Sequence, residues 1–471
     1  MKTNETFRLK DFFRAILTLA LPIALQNLLS TTASMVDTIM IGSLSELTVA
    51  AVGTCSQIIG MINSCYSGFV AGSPLFFAQY WGDRDIRNLN KTFGLTFSIS
   101  MFIVSSFTLM AVFHPEFLLR IYTDKQNIIQ EAVPYLRTVS LSLPVSALSL
   151  LTSYFLRTTE RVKVPLISSL VSVGINMLMN WILIYGRFGF PQLGAKGAAV
   201  ATLISSLTNL AFLLVYVLIS KSEARLKLKR MFGWSTDFIG LYFKKVTPVL
   251  CNDMFYGLGM MIVNIVIGRQ SETAIAAMTS FRVLEGFVFA FSGGMSNSAS
   301  VVVGKDVGMG NHMRAYRSAR AYAVICPIMT FCIIGTGCLF SEQLFGLFGL
   351  SDQGIAYGRI MLLIYLAAGT CRICNFIMND CFRAAGDPVF GTVLEICGLY
   401  LVSVPAVVIS GLVLKLPFLA VFAFVYTDEL IRLAFELRHT YSCKWIKPVT
   451  ESGRATLEAF HQEISAKRRK K

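Results

Sequence analysis

The feature that most constrains this chain is an apolar stretch that occurs twice at a fixed separation. Residues 19–53 are apolar enough to cross a bilayer, and a related stretch begins at Val246, with Pro248 standing 226 positions after Pro22. The same offset relates further pairs: Gly42 and Gly268, Glu46 and Glu272, Ala50 and Ala276, Gly68 and Gly294, Gly82 and Gly308. A gapless match of this length indicates a duplicated chain, and its apolar character indicates a duplicated membrane bundle.

The composition supports a membrane protein with many spans. Of 471 residues, 54% are hydrophobic and only 15% are charged, a balance too apolar for a soluble chain of this length. A spanning helix needs about 20 mostly apolar residues. We therefore expect an all-α integral membrane protein with about twelve transmembrane helices, at residues 14–40, 46–75, 92–113, 134–156, 164–186, 196–220, 239–267, 274–303, 318–340, 357–382, 389–412 and 417–437.

The distribution of basic residues predicts the orientation. The net charge of +15 is concentrated in connections between spans and at the end of the chain, as the positive-inside rule requires, so it gives no reason to expect a nucleic-acid partner. The basic inner connections include Arg157, Arg161 and Lys163 after the fourth span. We expect both termini in the cytoplasm and the protein in the inner, or plasma, membrane.

The charge pattern also divides the chain into segments. The connection 221–238 separates two halves of six spans, 14–220 and 239–440, which lie between a short lead at 1–13 and a basic cytoplasmic tail at 441–471. Because each half starts inside and has an even number of spans, an axis along the membrane normal relates the halves. Secondary transporters with parallel repeats bind their substrate between the halves.

One acidic residue lies within the first predicted span, 14–40. Asp37 is about 23 residues into an outward-running span, in its outer half, and its repeat counterpart is Val263. A carboxylate at this depth is costly and normally faces a cavity or a partner. Asn176 and Asn180 of the fifth span share a helix face because of their i,i+4 spacing. Thr202 of the sixth span reaches a similar depth.

This group of residues suits the binding of a proton or a cation. Removal from water disfavours the charged form of a carboxylate, so Asp37 could load a proton outside and release it when its surroundings change. Oxygens of the two asparagines and of Thr202 could instead complete the shell of a hard monovalent cation. The alternative is that these three residues only form interhelical hydrogen bonds. Pro22, which lacks a backbone N–H, is a candidate conformational hinge in the same span.

The second half carries a different set of charges, between the middle and the inner half of the bilayer: Asp253, Arg372, Glu395, Asp428 and Glu429. Arg282 and Glu285 are an i,i+3 pair on the eighth span. One interpretation is a network of buried ion pairs with Arg372 as the common cation. The other is an acidic region that takes up a cationic substrate or a second proton, because the acids outnumber the basic groups.

No motif indicates an enzyme, a cofactor or a metal site. The chain lacks a G-x-x-x-x-G-K-[ST] nucleotide-binding loop, and its four histidines are scattered. Cys371 and Cys374 have the spacing of a redox or metal pair, but they lie in a span without a second pair. We therefore expect neither catalysis nor a cofactor, and we expect an ion gradient rather than ATP to drive any transport.

Several motifs together resemble one transporter family. VDTIMIG ends the first span, IYGRFGFPQLGAKGAAVAT covers residues 184–202, and the turns FLRTTE and FRAAGD follow the fourth and tenth spans. They are similar to motifs of the MATE family, multidrug and toxic compound extrusion, over residues 12–445. The resemblance implies a twelve-helix, two-lobe antiporter that expels amphipathic, often cationic compounds in exchange for inward protons or sodium.

The resemblance also implies roles for single residues. Asp37 matches the family's first-helix carboxylate, and the two asparagines with Thr202 match the polar residues that accompany it. Some relatives have an aspartate where this chain has Asn180. The NorM-like branch has carboxylates in spans seven and ten, where this chain has Tyr256 and Arg372. The chain is therefore more similar to the DinF-like branch, and the proton is favoured over sodium as the coupling ion.

The sequence leaves three functions open. The leading one is a proton-coupled multidrug antiporter, with sodium as the alternative ion. A lipid-linked oligosaccharide flippase of the same superfamily would favour a basic cavity, whereas the intramembrane charges here are mostly acidic. A non-transporting membrane scaffold would have no need for Asp37. We expect drug-like small molecules and the lipid bilayer as partners, no nucleic acid, and a monomer.

Overall fold

The computed structural model describes residues 13–42, 44–219 and 226–469. Nearly all of the predicted lead 1–13, the first part of the predicted linker 221–238 and the last two residues of the predicted tail lie outside the described residues. Over the described ranges the regular structure is helical and contains no strand, which confirms the prediction of an all-α protein.

The helices of the first half follow a π-helical turn at Ile16–Ala20. Their bounds are α1 (Leu21–Gly42), α2 (Glu46–Gly82), α3 (Ile86–Phe113), α4 (Pro115–Arg120), α5 (Gln126–Ser140), α6 (Ser142–Thr158), α7 (Lys163–Tyr185) and α8 (Gly194–Ile219). The short helix α9 (Leu228–Met231) lies in the connection to the second half.

The second half continues with α10 (Thr236–Ile267), α11 (Glu272–Gly308), α12 (His312–Leu339), α13 (Ser341–Gly346), α14 (Asp352–Ala384), α15 (Pro388–Gly398), α16 (Val404–Val408), α17 (Phe418–Phe424), α18 (Thr427–Ser442) and α19 (Glu451–Arg469). Two π-helical turns, Leu399–Ser403 and Ile409–Val413, flank α16 and join it to α15 as one span.

The helix boundaries repeat with the offset found in the sequence. Helices α11, α12 and α13 begin and end 226 residues after α2, α3 and α4. At the same offset, α14 covers the combined range of α5 and α6. The duplication therefore extends without insertion or deletion from residue 46 to residue 158, well beyond the match read from identical residues.

One difference between the halves has a local cause. The helices α5 and α6 are bent by 40° at Leu141, whereas α14 is continuous. Pro144 has no N–H to offer the carbonyl of Ser140 one turn earlier, and that carbonyl accepts instead from the Thr108 hydroxyl at 3.3 Å. The residue at the position of Pro144 in the second half is Thr370, which leaves the hydrogen-bond ladder complete.

The span count agrees with the prediction. Among the described residues, ten helices are long and apolar enough to cross a membrane, and the bent pair α5–α6 makes eleven. The predicted twelfth span, 417–437, consists of α17 and α18, which are too short and, in α18, too polar to qualify. Helix α3 begins at Ile86 rather than at the predicted residue 92, because the Asp85 carboxylate caps its first turn by accepting from the Asn88 N–H at 3.0 Å.

The chain divides into two compact units. Unit 1 holds the described part of Met1–Ala24, together with Ala78–Arg84 and Thr247–Lys471, and unit 2 holds Leu25–Phe77 and Asp85–Val246. The units differ from the predicted ranges 14–220 and 239–440, because α1, α2 and α10 are each divided between them. Where a helix leaves a unit, a proline lies within three residues of the boundary: Pro22, Pro74 and Pro248.

The described part of the predicted tail is a packed element of unit 1. Trp445 and Ile446 are buried, and α19 places Phe460 and Ile464 in the same hydrophobic cluster. The Gln79 side chain joins this segment to the helices, since its amide donates to the Ala384 carbonyl at 2.8 Å and its oxygen accepts from the Val449 N–H at 2.8 Å.

The FRAAGD turn holds the same segment from the other side. The Lys447 N–H donates to the Ala385 carbonyl at 2.9 Å, and Gly386 has a φ of +98°. The Asp387 carboxylate lies 2.9 Å from Lys447 Nζ and 3.2 Å from His439 Nε2. Burial acts to raise the pKa of Asp387, but its hydrogen bonds to His439 and Lys447 and their charges lower that pKa below its usual value.

Candidate functional site

The structure brings together three of the four residues predicted for cation coupling. Asp37 is half-buried in α1, five residues before the helix ends at Gly42. The Asn180 amide donates to Asp37 Oδ1 at 2.6 Å and to Asn176 Oδ1 at 3.3 Å. Both asparagines are buried on the face of α7 that their spacing predicts. Asp37 of α1 and Asn180 of α7 are therefore joined by a hydrogen bond.

The fourth residue, Thr202, is placed differently. Its hydroxyl donates to the Ala198 carbonyl of its own helix α8 at 3.0 Å. Within the part of the chain that the structure describes, no hydrogen bond links Thr202 to Asp37, although α7 and α8 pack along each other. Thr202 thus lies in the neighbouring helix without completing the polar group.

One acceptor in this group has no partner. Asn180 is only 1% exposed, and within the described ranges its Oδ1 accepts no hydrogen bond. A buried polar atom left unsatisfied costs about 1–3 kcal/mol. A protonated carboxylic acid can donate to such an oxygen, and a monovalent cation can be coordinated by it. The atom that the site leaves unsatisfied is therefore one that an arriving proton or cation would satisfy.

A second polar group in unit 2 was not predicted. Arg157 was predicted in an inner connection, but it lies in α6, is only 7% exposed, and donates to Gln26 Oε1 at 2.7 Å. The Gln26 amide in turn donates to the Ser169 hydroxyl at 2.8 Å. No carboxylate pairs with Arg157 among the described residues. The FLRTTE motif gave no sign that Arg157 is buried, because its hydrogen-bond partner Gln26 lies 131 positions away in the sequence.

One of these two hydrogen bonds recurs in unit 1, with a charged acceptor. The residues 226 positions after Gln26, Arg157 and Ser169 are Asn252, Arg383 and Glu395. The Asn252 amide donates to Glu395 Oε2 at 3.0 Å, as the Gln26 amide does to Ser169. Glu395, one of the predicted residues, is thus the acidic counterpart of a hydroxyl in the other half.

Arg372 is the centre of one ion-pair group in unit 1. Its Nη1 lies 2.8 Å from Glu285 Oε1 and its Nε lies 3.6 Å from Glu429 Oε1. The guanidinium also donates to the Tyr256 hydroxyl and lies 4.6 Å from the centre of the Phe289 ring. Tyr256 and Arg372, which occupy the two positions where the NorM-like branch has carboxylates, are therefore in contact in this chain, and Arg372 is itself a cation.

Arg432 is the centre of a second ion-pair group that sequence reasoning missed. Its guanidinium nitrogens lie 3.4–3.9 Å from carboxylate oxygens of Glu395, Asp428, Glu429 and Glu436. Glu436 is completely buried, and neither of its oxygens has a hydrogen-bond partner among the described residues. The spacing of Asp428, Arg432 and Glu436 at i,i+4 could have revealed this face of α18. Of the acids predicted to share Arg372, Glu429 lies near both arginines, whereas Glu395 and Asp428 lie near Arg432.

Two further acids of unit 1, Asp380 and Asp253, lie near Arg383. Its Nη1 is 3.5 Å from Asp380 Oδ1, and the Ser296 hydroxyl donates to Asp380 Oδ2 at 2.5 Å. Asp253 lies within electrostatic range of Arg383 and Asp380. Arg282, by contrast, donates to Asn264 rather than to Glu285.

Acids exceed basic groups in this part of unit 1. Seven acids among the described residues lie around the three arginines Arg372, Arg383 and Arg432: Asp253, Glu285, Asp380, Glu395, Asp428, Glu429 and Glu436. Ion pairing therefore accounts for some of the charged residues predicted in the second half. The acids also outnumber the arginines, as the alternative interpretation of an acidic region for a cationic substrate or a second proton requires.

The comparisons with known proteins agree with the duplication. The family model described as MatE matches residues 22–182 and 248–409, two segments that begin 226 positions apart. The "Uncharacterized transporter YisQ" of Bacillus subtilis is 24% identical over 416 residues, covering 87% of this chain and 90% of that protein. The "Multidrug resistance protein NorM" of Vibrio cholerae is 24% identical over 370 residues, covering 76% and 78%.

Solved structures show the same fold. A crystal structure of MATE in complex with MaL6 superposes with a TM-score of 0.82 at 18% identity and covers 91% of this chain and 96% of that one. This agreement confirms the predicted two-lobe bundle of about twelve helices.

Proposed function

This chain belongs to the MatE family of membrane transporters, and we propose that it is a proton-coupled antiporter that exports amphipathic, often cationic compounds. The observation that carries the proposal is the Asp37–Asn180 pair. It places a titratable group and an unsatisfied acceptor at one point within the membrane, and the second half has Val263 in the place of the carboxylate.

Protonation changes what this pair can do. As a carboxylate, Asp37 only accepts, and the Asn180 amide meets that need. Once protonated, Asp37 is neutral and becomes a donor, so the hydrogen bond to the Asn180 nitrogen weakens and the unsatisfied Asn180 oxygen becomes a suitable partner. A single proton thus exchanges one hydrogen-bond arrangement for another.

The first helix provides a way to pass on this change. The π-helical turn Ile16–Ala20 directly precedes α1, and Pro22 removes one backbone donor at its start. We propose that α1 repacks here when Asp37 is protonated from outside, that the substrate then leaves outward, and that loss of the proton to the inside resets the cycle. Pro22 is the hinge in this scheme.

The proton is preferred over sodium because of the ligands available. Sodium wants several oxygen ligands and a stable negative charge. Unit 2 offers one carboxylate and two amides at Asp37, while Thr202 bonds its own helix. In unit 1 the guanidinium of Arg372 lies between Glu285 and Glu429, where it would repel a sodium ion.

The acid excess supports a cationic substrate class. A lipid-linked oligosaccharide flippase would need basic groups for a pyrophosphate, whereas the intramembrane groups described in unit 1 are mainly acidic. A scaffold would gain nothing from Asp37. The efflux function, without a cofactor or a nucleic-acid partner, is therefore the one that we propose.

Transport in reconstituted vesicles tests the proposal. Asp37→Asn keeps the size of the side chain but does not titrate, so we expect efflux driven by a proton gradient to fall at least roughly tenfold, with normal expression and insertion. Asp124→Asn, which neutralises an exposed aspartate of unit 2, is the control and should transport normally.

The coupling ion is tested with the same vesicles. Wild-type efflux should respond to an imposed proton gradient and should not respond to a sodium gradient at clamped pH and membrane potential. Normal efflux by folded Asp37→Asn protein would contradict the role of Asp37. A response to sodium alone would overturn the choice of ion.

A further inference from the structure

A cavity opens in unit 2 close to the end of α1. It has a volume of about 360 Å³ and lies among the α1–α2 connection, α5 and the start of α8. Its wall includes Ser45, Thr48, Glu131, Tyr135 and Lys196. The wall is therefore polar and charged, although the surrounding helices are apolar spans.

The polar groups of this wall form a chain. The Thr48 hydroxyl is 2.9 Å from the Ser45 hydroxyl and donates to Glu131 Oε1 at 3.1 Å. Thr48 is buried and Glu131 is half-buried, while Lys196 is exposed. The carboxylate thus stands inside the cavity, held by a hydroxyl and accompanied by one ammonium group.

The cavity reaches toward Asp37. Tyr135 is buried, lines the cavity, and lies close enough to Asp37 to be affected by its charge. From Asp37, helix α1 continues for five residues to Gly42 and leads into the cavity wall at Leu44. Tyr135 is therefore a residue of the cavity wall that lies within electrostatic range of the proposed coupling residue.

At the equivalent positions of the second half, the side chains are packed in a hydrophobic cluster. The residues 226 positions after Asp37, Thr48, Glu131 and Tyr135 are Val263, Ala274, Tyr357 and Met361. Three of these are buried in one hydrophobic cluster, and Tyr357 packs against it with its ring centre 5.5 Å from that of Phe418.

This comparison supports a link between the cavity and Asp37. The counterparts lie on α10, α11 and α14, which all contribute to this cluster, and α1, α2 and α5 are the equivalent helices of the first half. At each of the four positions the residue of the first half is more polar than its counterpart, and in the first half the region contains a cavity. A void with polar walls admits water, whereas an apolar one stays dry.

We propose that this cavity is the proton entry of unit 2, an inference that rests on the proposed proton coupling. Glu131 takes a proton from water at the mouth of the cavity. The Tyr135 hydroxyl accepts that proton as it donates its own toward Asp37. Glu131 is then a carboxylate again, Asp37 is neutral, and no other group has changed.

The charges around Glu131 favour a proton over a metal cation. The Thr48 hydroxyl donates to Glu131, Ser45 of the α1–α2 connection, Tyr135 of α5 and Lys196 of α8 share its cavity wall, and Asp37 of α1 lies within electrostatic range of Tyr135. The ammonium repels a free cation from the mouth. It does not prevent a proton from bonding covalently to the carboxylate oxygen.

The variant Glu131→Gln tests this entry. Its amide oxygen still accepts from the Thr48 hydroxyl, but the side chain no longer titrates. In proton-driven vesicles we expect the external proton concentration for half-maximal efflux to rise roughly tenfold. The maximal rate at low external pH and the final extent of efflux should equal those of the wild type, since an entry path changes the rate and not the coupling.

The control is Glu116→Gln, which neutralises an exposed glutamate of α4 in the same unit and should leave the pH profile unchanged. Leu193→Trp is a second variant, which fills the cavity and should slow proton-driven efflux without changing its extent. A Glu131→Gln profile that superposes on the wild-type and Glu116→Gln profiles overturns the entry path.

The two proposals fail in different ways. If wild-type efflux follows the proton gradient and Asp37→Asn abolishes it, but Glu131→Gln and Leu193→Trp change nothing, only the entry path is wrong. If wild-type efflux ignores the proton gradient, the proposed coupling is wrong and the entry path falls with it.

Discussion

At the scale of single residues, Arg372 is the clearest case of a charge whose loss can be predicted. Glu285 and Glu429 both lie within ion-pair distance of it, and its guanidinium packs on the Phe289 ring. Removal of one partner of a buried pair costs about 3–5 kcal/mol in soluble proteins. We expect Arg372→Ala to lower the melting temperature in detergent clearly.

A second substitution shows whether ion pairing is the reason. Arg372→Ala combined with Glu285→Gln should regain part of the lost stability, because it removes the stranded charge. Arg282→Ala is the control, since Arg282 donates to Asn264 at an exposed site. If neither Glu285→Gln nor Glu429→Gln improves the Arg372→Ala protein, the ion-pair interpretation is wrong.

Asp387 predicts a dependence of stability on pH. Its pKa in the folded protein is below the unfolded value of about 3.9, so the ionised form stabilises the fold at neutral pH. That contribution is complete above the unfolded pKa and is lost as the pH falls through the lowered one. Because Lys447 is half-exposed, we expect Asp387→Asn to cost only about 1 kcal/mol at pH 7.

Melting curves measured from pH 7 down to pH 3 check this prediction. The difference between wild type and Asp387→Asn should shrink as the pH falls below about 4. Asp124→Asn, an exposed aspartate, should track the wild type throughout. A difference that stays constant down to the lowest pH would mean that Asp387 acts through packing and not through its charge.

Single residues also show what the sequence could predict. The contact between Asp37 and Asn180 followed from helix depth and i,i+4 spacing, which are local properties. The burial of Arg157 did not follow, because its partner Gln26 is 131 positions away and leaves no local pattern. The contacts of Arg432 and Glu436 could be predicted only in part. Their i,i+4 spacing indicates a shared helix face, but the sequence does not show which helices face it.

At the scale of elements, the FRAAGD turn depends on one glycine. Gly386 has a φ of +98°, and a Cβ there would lie 2.0 Å from the Lys447 carbonyl oxygen. A non-glycine residue in such a conformation costs about 1–3 kcal/mol before any clash is counted. We expect Gly386→Ala to lower the melting temperature and to make residues 443–450 more sensitive to protease.

The matched control is Gly174→Ala in α7, where a Cβ meets no atom within 4 Å and the backbone is helical. That substitution should be neutral or stabilise by about 0.5–1 kcal/mol. Equal effects of the two substitutions would show that the turn does not hold the C-terminal segment.

Helix boundaries were predictable to the extent that the repeat fixed them. The constant offset relates the ends of α2, α3 and α4 to those of α11, α12 and α13. The bend at Leu141 was not predicted, although Pro144 was visible, because a proline in the first turn of a new helix looks the same in sequence as one that kinks a long helix. The division of α1 and α2 between units depends on packing partners that no single element reveals.

At the scale of the whole molecule, the basic connections predict the topology. At fusion sites after residue 469 and within 226–235, we expect a signal only from a reporter that is active in the cytoplasm. A reporter within 187–193, between α7 and α8, should be active only outside. A C-terminal fusion on the outer side would mean an odd number of spans. That result would overturn the predicted cytoplasmic position of the C-terminus and the predicted twelfth span, 417–437.

The contacts of Gln79 set a time for the completion of the fold. Its oxygen accepts from the N–H of Val449, which is synthesised 370 residues later. At roughly 5–20 residues per second, the ribosome needs roughly 20–75 seconds to supply that partner. During this interval the end of α2 lacks the C-terminal segment that will cover it. Unit 1 is therefore the last part of the protein to mature. If synthesis stops before Trp445, the released chain is incomplete, and quality-control proteases can recognise it.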